Sequence, residues 1–212
     1  MTPKGYNEDA LVEQPAIALL AELGWKTFDA YSEFDHGVSP LGRETKADVI
    51  LKTHLREALL WLNPDISVDS IHQAIEALSR DRSRMSAVAT NREVYHLLKN
   101  GVRIPVPDPE GDGETVEVVR VIDWDEPAHN DFLICSQFWI TGEMHTRRAD
   151  LIGFVNGLPL LFIELKAAHR RLETAFNGNL RGLIVDYAGV FLNLERALAI
   201  YGAGRGRQDC GR

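Results

Sequence analysis

Apolar positions recur at helical spacing through the first half of the chain and at extended spacing through the second. Residues 8–23, EDALVEQPAIALLAEL, repeat apolar side chains every three or four positions, with an interruption at Pro15. Gly24 then supplies a C-cap before the strand-like WKTF. The stretch ADVILKTHLREALLWL predicts a second helix that stops at Asn63-Pro64, and Ser67 is placed to cap a third, VDSIHQAIEALSR. A fourth helix near residues 86–99 ends at Asn100-Gly101, and VPDPEGDGE forms a polar Pro/Gly-rich loop.

Beyond that loop the period shortens to two. ETVEVVRVID alternates, and DFLICSQFWIT, ADLIGFVN and PLLFIELK are β-rich runs separated by turn residues. The last two are apolar at nearly every position, as central strands covered on both faces are. After them, residues 169–181 predict a helix, LIVDY a short strand, and VFLNLERALAIY an amphipathic helix, followed by a disordered tail, GAGRGRQDCGR. An unpacked amphipathic helix there would expose Phe191, Leu194, Leu198 and Tyr201.

With 212 residues, 45% of them hydrophobic, the chain can bury a core. It holds no apolar run long enough to cross a membrane and no secretory leader, so a cytoplasmic protein is expected. Cys135, in an apolar strand, and Cys210, in the tail, predict reduced thiols rather than a disulfide framework or a zinc site. The net charge of −8 opposes free-standing, non-specific DNA binding. Its distribution is uneven: residues 1–144 carry 13 basic and 25 acidic side chains, residues 145–212 carry 10 and 6. Any contact with DNA is expected in the last third.

Candidate chemistry sits at the end of the last apolar strand. In Glu164-Leu165-Lys166 the two charged side chains fall on one face of an extended strand and Leu165 on the other. Charged residues at a strand end are commonplace, so the tripeptide decides nothing by itself. Asp150 changes its weight, because in an antiparallel hairpin turning at Asn156-Gly157-Leu158 the start of one strand lies beside the end of the next. Two carboxylates and a lysine at a sheet rim would form a hard-oxygen site for Mg²⁺. Register is the test. A plain two-residue Asn-Gly turn pairs Asp150 with Ile163 and sends it to the face opposite Glu164, so the site requires a three-residue loop, a bulge, or an Asp150 that bends off the strand.

The D-x13-E-x-K spacing resembles that of PD-(D/E)xK nucleases. More narrowly, NDFLICSQFWITGEMHTRRADLIGFVNGLPLLFIELK is similar to the N-terminal nuclease domain of type I restriction enzyme R subunits, with Ala149 where that family carries proline. ALLAELGW, LGRE, LREALLWLNP and VIDW extend the likeness over about residues 10–181. The resemblance implies an α/β restriction-endonuclease-like core with a mixed central sheet flanked by helices, plus a helical insertion at about 43–100. It also implies Mg²⁺ held by Asp150, Glu164 and the Leu165 carbonyl, with Lys166 positioning the attacking water and offsetting phosphate charge. Glu13 matches an acidic position that such nucleases bring near the metal; a solvent-facing helix glutamate is its plainer reading. Arg147, Arg148, Arg170 and Arg171 flank the site as candidate phosphate contacts, solvated charge being the alternative. DNA and the modification and specificity subunits of a restriction complex are the implied partners, and DNA specificity would reside in a separate subunit.

The likeness stops near Gly182. Asn179, in AFNGNLRG, and Leu183, just after it, stand where the family carries glutamine and tyrosine, and GLIVDYAGVFLNLERALAIYG resembles a segment that follows the helicase-like motor. No G-x-x-x-x-G-K-[ST] occurs, so no ATP site is expected. An internal deletion joining near Arg181-Gly182 would explain this, as would a gene fragment or an assembly error. The expected division is therefore 1–181, nuclease domain, and 182–212, a post-motor segment. The expected activity is Mg²⁺-dependent cleavage of double-stranded DNA; the alternative is an inactive remnant that only binds DNA or partner subunits.

Overall fold

The computed structural model describes residues 13–108, 111–142, 145–163 and 165. Four helices and six strands form within them: α1 (Gln14–Glu22), β1 (Lys26–Asp29), α2 (Lys52–Leu62), α3 (Val68–Ser79), α4 (Ala87–Asn100), β2 (Val102–Pro107), β3 (Glu114–Val119), β4 (Phe132–Thr141), β5 (Thr146–Val155) and β6 (Leu158–Ile163). The central sheet runs β1-β4-β5-β6, with β1 parallel to β4 and the other neighbours antiparallel. The protein is thus a mixed α/β fold with a mixed sheet. The region of residues 169–181, LIVDY, the amphipathic helix and the tail lies outside the described residues, as does the start of the 8–23 helix.

Local chemistry sets the helix ends. Pro15 sits in the first turn of α1, where a missing N–H costs no intrahelical bond. Leu23 and Gly24 return their N–H groups to Leu19 and Ala21 at the other end. Ser67 Oγ accepts from Ser70 N, and Ser86 Oγ from Ala89 N, capping α3 and α4. α2 starts at Lys52, five residues after the start of the periodic stretch, because the preceding backbone is bonded elsewhere. Asp48 carries the Thr45 N–H on its carboxylate, the Asp48 and Lys46 carbonyls accept from Arg43, and Leu51 N–H donates to Gly157 O.

ETVEVVRVID does not join the central sheet. Its first six residues form β3, which pairs antiparallel with β2 in a separate two-stranded sheet. VPDPEGDGE therefore begins inside β2. α3 packs on this ribbon, and Leu55, Leu59, Ile71, Leu78, Val94, Leu98, Val102, Val119 and Leu158 share one buried cluster with it. A second cluster, including Leu41, Leu51, Leu133, Cys135, Phe138, Ile140, Ala149, Ile152 and Phe154, covers one face of the central sheet. Cys135 is a free, buried thiol; burial, then the charge of Glu33, push its pKa up, so it stays un-ionised and inert. No described helix is long and apolar enough to cross a membrane.

Buried polar latches join the layers. Arg43 donates to Glu33 Oε2 at 2.6 Å with both side chains fully buried, reaches the carbonyls of Asp48, Lys46 and Trp139, and stacks 3.9 Å above the Phe138 ring. Asn63 bonds the Leu59 and Arg120 carbonyls and accepts from Arg120 N. Asn156, fully buried, donates to Val121 O and Asn130 Oδ1 and accepts from Asp131 N. LGRE, LNP, VIDW and FVNG thus supply scaffold contacts: Asp123 of VIDW accepts from the Asp125 and Glu126 backbones, and Trp124 donates to Leu98 O.

Asp131 links three elements, meeting Lys26 of β1 and His54 of α2 beside the Asn156 turn. Burial alone would push its carboxyl up, but the bonds from Lys26 and His54 outweigh that and hold it below the ordinary range. A carboxylate held low stabilises the fold above its unfolded value of about 3.9, and that share is lost as pH falls through the lower folded value. Asp131→Asn is expected to cost about 1 kcal/mol at neutral pH and to show a shallower loss of stability than wild type below about pH 4. Urea unfolding across this range checks it; parallel pH profiles would contradict the assignment.

Candidate active site

The β5–β6 hairpin resolves the register question by a bulge, one of the three arrangements that the site requires. Asn156 and Gly157 form a two-residue turn with φ of 52° and 77°, and Val155 pairs with Leu158 across it. Both central residues at positive φ make the tight turn that suits the twist of a hairpin. That turn alone would put Asp150 opposite Ile163. A bulge intervenes: Phe154 pairs with Pro159 but Gly153 with Leu161, leaving Leu160 as the extra residue. Beyond it, Leu151 pairs with Ile163, the register of a three-residue loop. The last contact is direct, because Leu165 N–H donates to Asp150 Oδ2 at 2.7 Å.

β4 is irregular at the same level. Ser136 pairs with Leu151 and Phe138 with Ala149, so Gln137 and Asp150 lie between these pairs without a ladder pair of their own. Gln137 has φ of 55°, and the core-facing positions of β4 change phase across it, from Leu133 and Cys135 to Phe138 and Ile140. In β5 the phase changes between Ala149 and Ile152. Asp150 therefore occupies a break in alternation shared by two strands.

Glu13 is brought to this break. Rather than facing solvent it is buried, and Gln137 Nε2 donates to its Oε2 at 2.6 Å. Gln137 was not identified from sequence; a polar pair, Ser136-Gln137, inside the apolar run LICSQFWI was the available signal. Arg147 pairs with Ile140 and its Nε is buried without a hydrogen-bond partner among the described residues. Arg148 pairs with Trp139 and is exposed, its guanidinium 5.4 Å from that ring and 5.2 Å from Tyr31. Glu164, Lys166, Arg170 and Arg171 lie outside the described residues. Among the described residues no three His, Cys, Asp or Glu side chains gather as metal ligands.

Residues 5–183 match the family model for the type I restriction enzyme R protein N terminus. The chain belongs to that family. Two relatives agree with the assignment. The type I restriction enzyme HindI endonuclease subunit of Haemophilus influenzae is 29% identical over 170 residues, which is 78% of this chain and 16% of that protein. A Methanocaldococcus jannaschii protein provisionally named as the type I restriction enzyme MjaIXP endonuclease subunit is 28% identical over 179 residues, 81% of this chain and 16% of its own length. This R-protein N-terminal chain thus spans about one sixth of the length of the curated relatives it matches.

Proposed function

We propose that this chain is the DNA-cleaving domain of a type I restriction R subunit and hydrolyses phosphodiester bonds of double-stranded DNA with Mg²⁺. The observation that carries the reading is the contact of Leu165 N–H with Asp150, reached through the bulge at Leu160. It holds the Leu165 backbone against the Asp150 carboxylate, which supports an E-x-K site around Leu165. The donor set fits a hard cation: the Asp150 carboxylate, the Glu164 carboxylate and the Leu165 carbonyl offer oxygen only. Bound there, Mg²⁺ would supply Lewis-acid stabilisation of the charge that develops on the phosphate. In this reading Lys166 orients the attacking water and offsets phosphate charge, and Arg147, Arg148, Arg170 and Arg171 hold neighbouring phosphates. Glu13, fixed by Gln137, adds a buried acid close to the site.

On the same reading residues 1–181 form the nuclease unit and 182–212 a separate segment resembling post-motor sequence. ATP-driven translocation and DNA specificity belong to parts of the complex outside this chain, the modification and specificity subunits being its partners.

Calorimetric titration with Mg²⁺, paired with plasmid nicking, tests the proposal. Wild type is expected to bind the ion and nick; Asp150→Ala should lose both, and Lys166→Ala should keep the ion but lose nicking. A wild-type chain that neither binds Mg²⁺ nor nicks would instead be a catalytically inactive remnant.

A further inference from the structure

Several described cations are spent on carboxylates: Lys26 on Asp131, Arg43 on Glu33, Arg80 and Arg82 on Glu93, Arg120 on Asp123. Lys46 and Arg148 are held differently. Among the described residues neither is ion-paired; each lies over aromatic rings. Lys46 Nζ is 4.7 Å from the Trp139 ring centroid and 5.8 Å from that of Phe34, while the Arg148 guanidinium lies over Trp139 and Tyr31. One indole thus carries two cations. The platform is fastened: Trp139 Nε1 donates to Tyr31 O, and the Lys46 carbonyl accepts from Arg43 and from Thr141 N–H.

A cation over a ring loses side-chain freedom while keeping its charge, unlike one neutralised by a carboxylate. Such a pair is prepared for an anion supplied from outside. Position gives that anion an identity, because Arg148 stands two residues from Asp150 on β5, about 6.6 Å along an extended strand. Phe138 and Ala149 face the core, so their neighbours Trp139 and Arg148 occupy the other side of the β4–β5 pair. Lys46 and Arg148 thus bring two positive charges, over one indole, to the strand that carries the proposed cutting position.

We propose that Lys46 and Arg148, held over Trp139, Tyr31 and Phe34, form a phosphate-binding strip that grips the DNA backbone next to the bond cut at Asp150. The strip's role in cutting rests on the nuclease reading above, but its grip on DNA can be measured without metal or chemistry.

Fluorescence anisotropy of a labelled short duplex, with the full chain in a chelator and salt varied from about 25 to 200 mM, supplies the test. Lys46→Ala should weaken binding about five- to ten-fold at ~0.1 M salt and lower the salt slope by about one, as loss of one phosphate contact does. Lys46→Arg should restore it. Trp139→Leu removes no charge and should weaken binding with the slope kept, since both cations lose their seat. Arg56→Ala, an exposed charge on α2, is the control and should leave binding unchanged. Thermal melts confirm that each variant is folded. Failure of the wild type to bind duplex, or effects of Lys46→Ala or Trp139→Leu no larger than that of Arg56→Ala, would overturn the strip. Duplex binding through the strip by a chain that does not nick with Mg²⁺ would overturn only the nuclease reading.

Discussion

Gly157→Ala is expected to lower stability by about 3 kcal/mol, read as a drop in the urea midpoint at unchanged m-value. Two costs combine. At φ of 77° an L side chain is strained by roughly 1–2 kcal/mol. The added methyl would also lie 2.5 Å from Leu51 O and 2.6 Å from Leu55 N, and backbone atoms at the start of a helix cannot swing aside as a flexible side chain can. Overpacking of that kind costs about 1–3 kcal/mol more. Gly37→Ala separates the terms, because Gly37 has φ of 79° but nothing within 4 Å of the added carbon. It should show the strain alone. Equal losses in the two variants would mean that the hairpin tip is not pressed against α2.

Arg43→Leu should be still more damaging, by about 3–5 kcal/mol, because it strands the Glu33 carboxylate in a site from which water is excluded. Burial itself lowers the pKa of the guanidinium, and the charge of Glu33 opposes that effect; each ion is tolerable only with the other. Ser39 Oγ would remain as a donor to Glu33, a hydroxyl in place of a cation. Replacing both partners, Glu33→Leu with Arg43→Leu, should recover much of the loss, since no buried charge is then orphaned. A double-mutant cycle in urea checks this. Additive losses would mean that Arg43 acts through its carbonyl contacts and its place on Phe138 rather than through Glu33.

Elements that local chemistry defines were legible in the sequence. Ser67, Asn63-Pro64, Gly24 and Asn100-Gly101 mark helix ends because each acts on the backbone within a few residues. β2 was not legible. RIPVP carries two prolines, which argue against a strand in a wide sheet but are tolerated where each strand has only one neighbour. The ribbon forms because Val102, Ile104 and Val119 bury against the helices, a tertiary reason invisible in a local window.

At the site, composition and spacing were legible but geometry was not. Asp150 could be singled out, yet its register depends on Leu160 standing outside the ladder, and a bulge leaves little trace in a run where nearly every residue is apolar. The burial of Glu13 and its tie to Gln137 were hidden for a similar reason: they join positions 124 residues apart. Arg43, within LGRE, is one end of a fully buried ion pair that no spacing rule connects to Glu33.

The odd residue at Leu160 also limits how this stretch of protein can change length over evolutionary time. Adding or losing two residues within either strand leaves the inward and outward sides of the hairpin as they were. A change of one residue exchanges them, unless a second irregularity cancels the first. Descendants of this hairpin should therefore vary in even steps, or carry insertions at the tip only where the tip no longer presses on the start of α2.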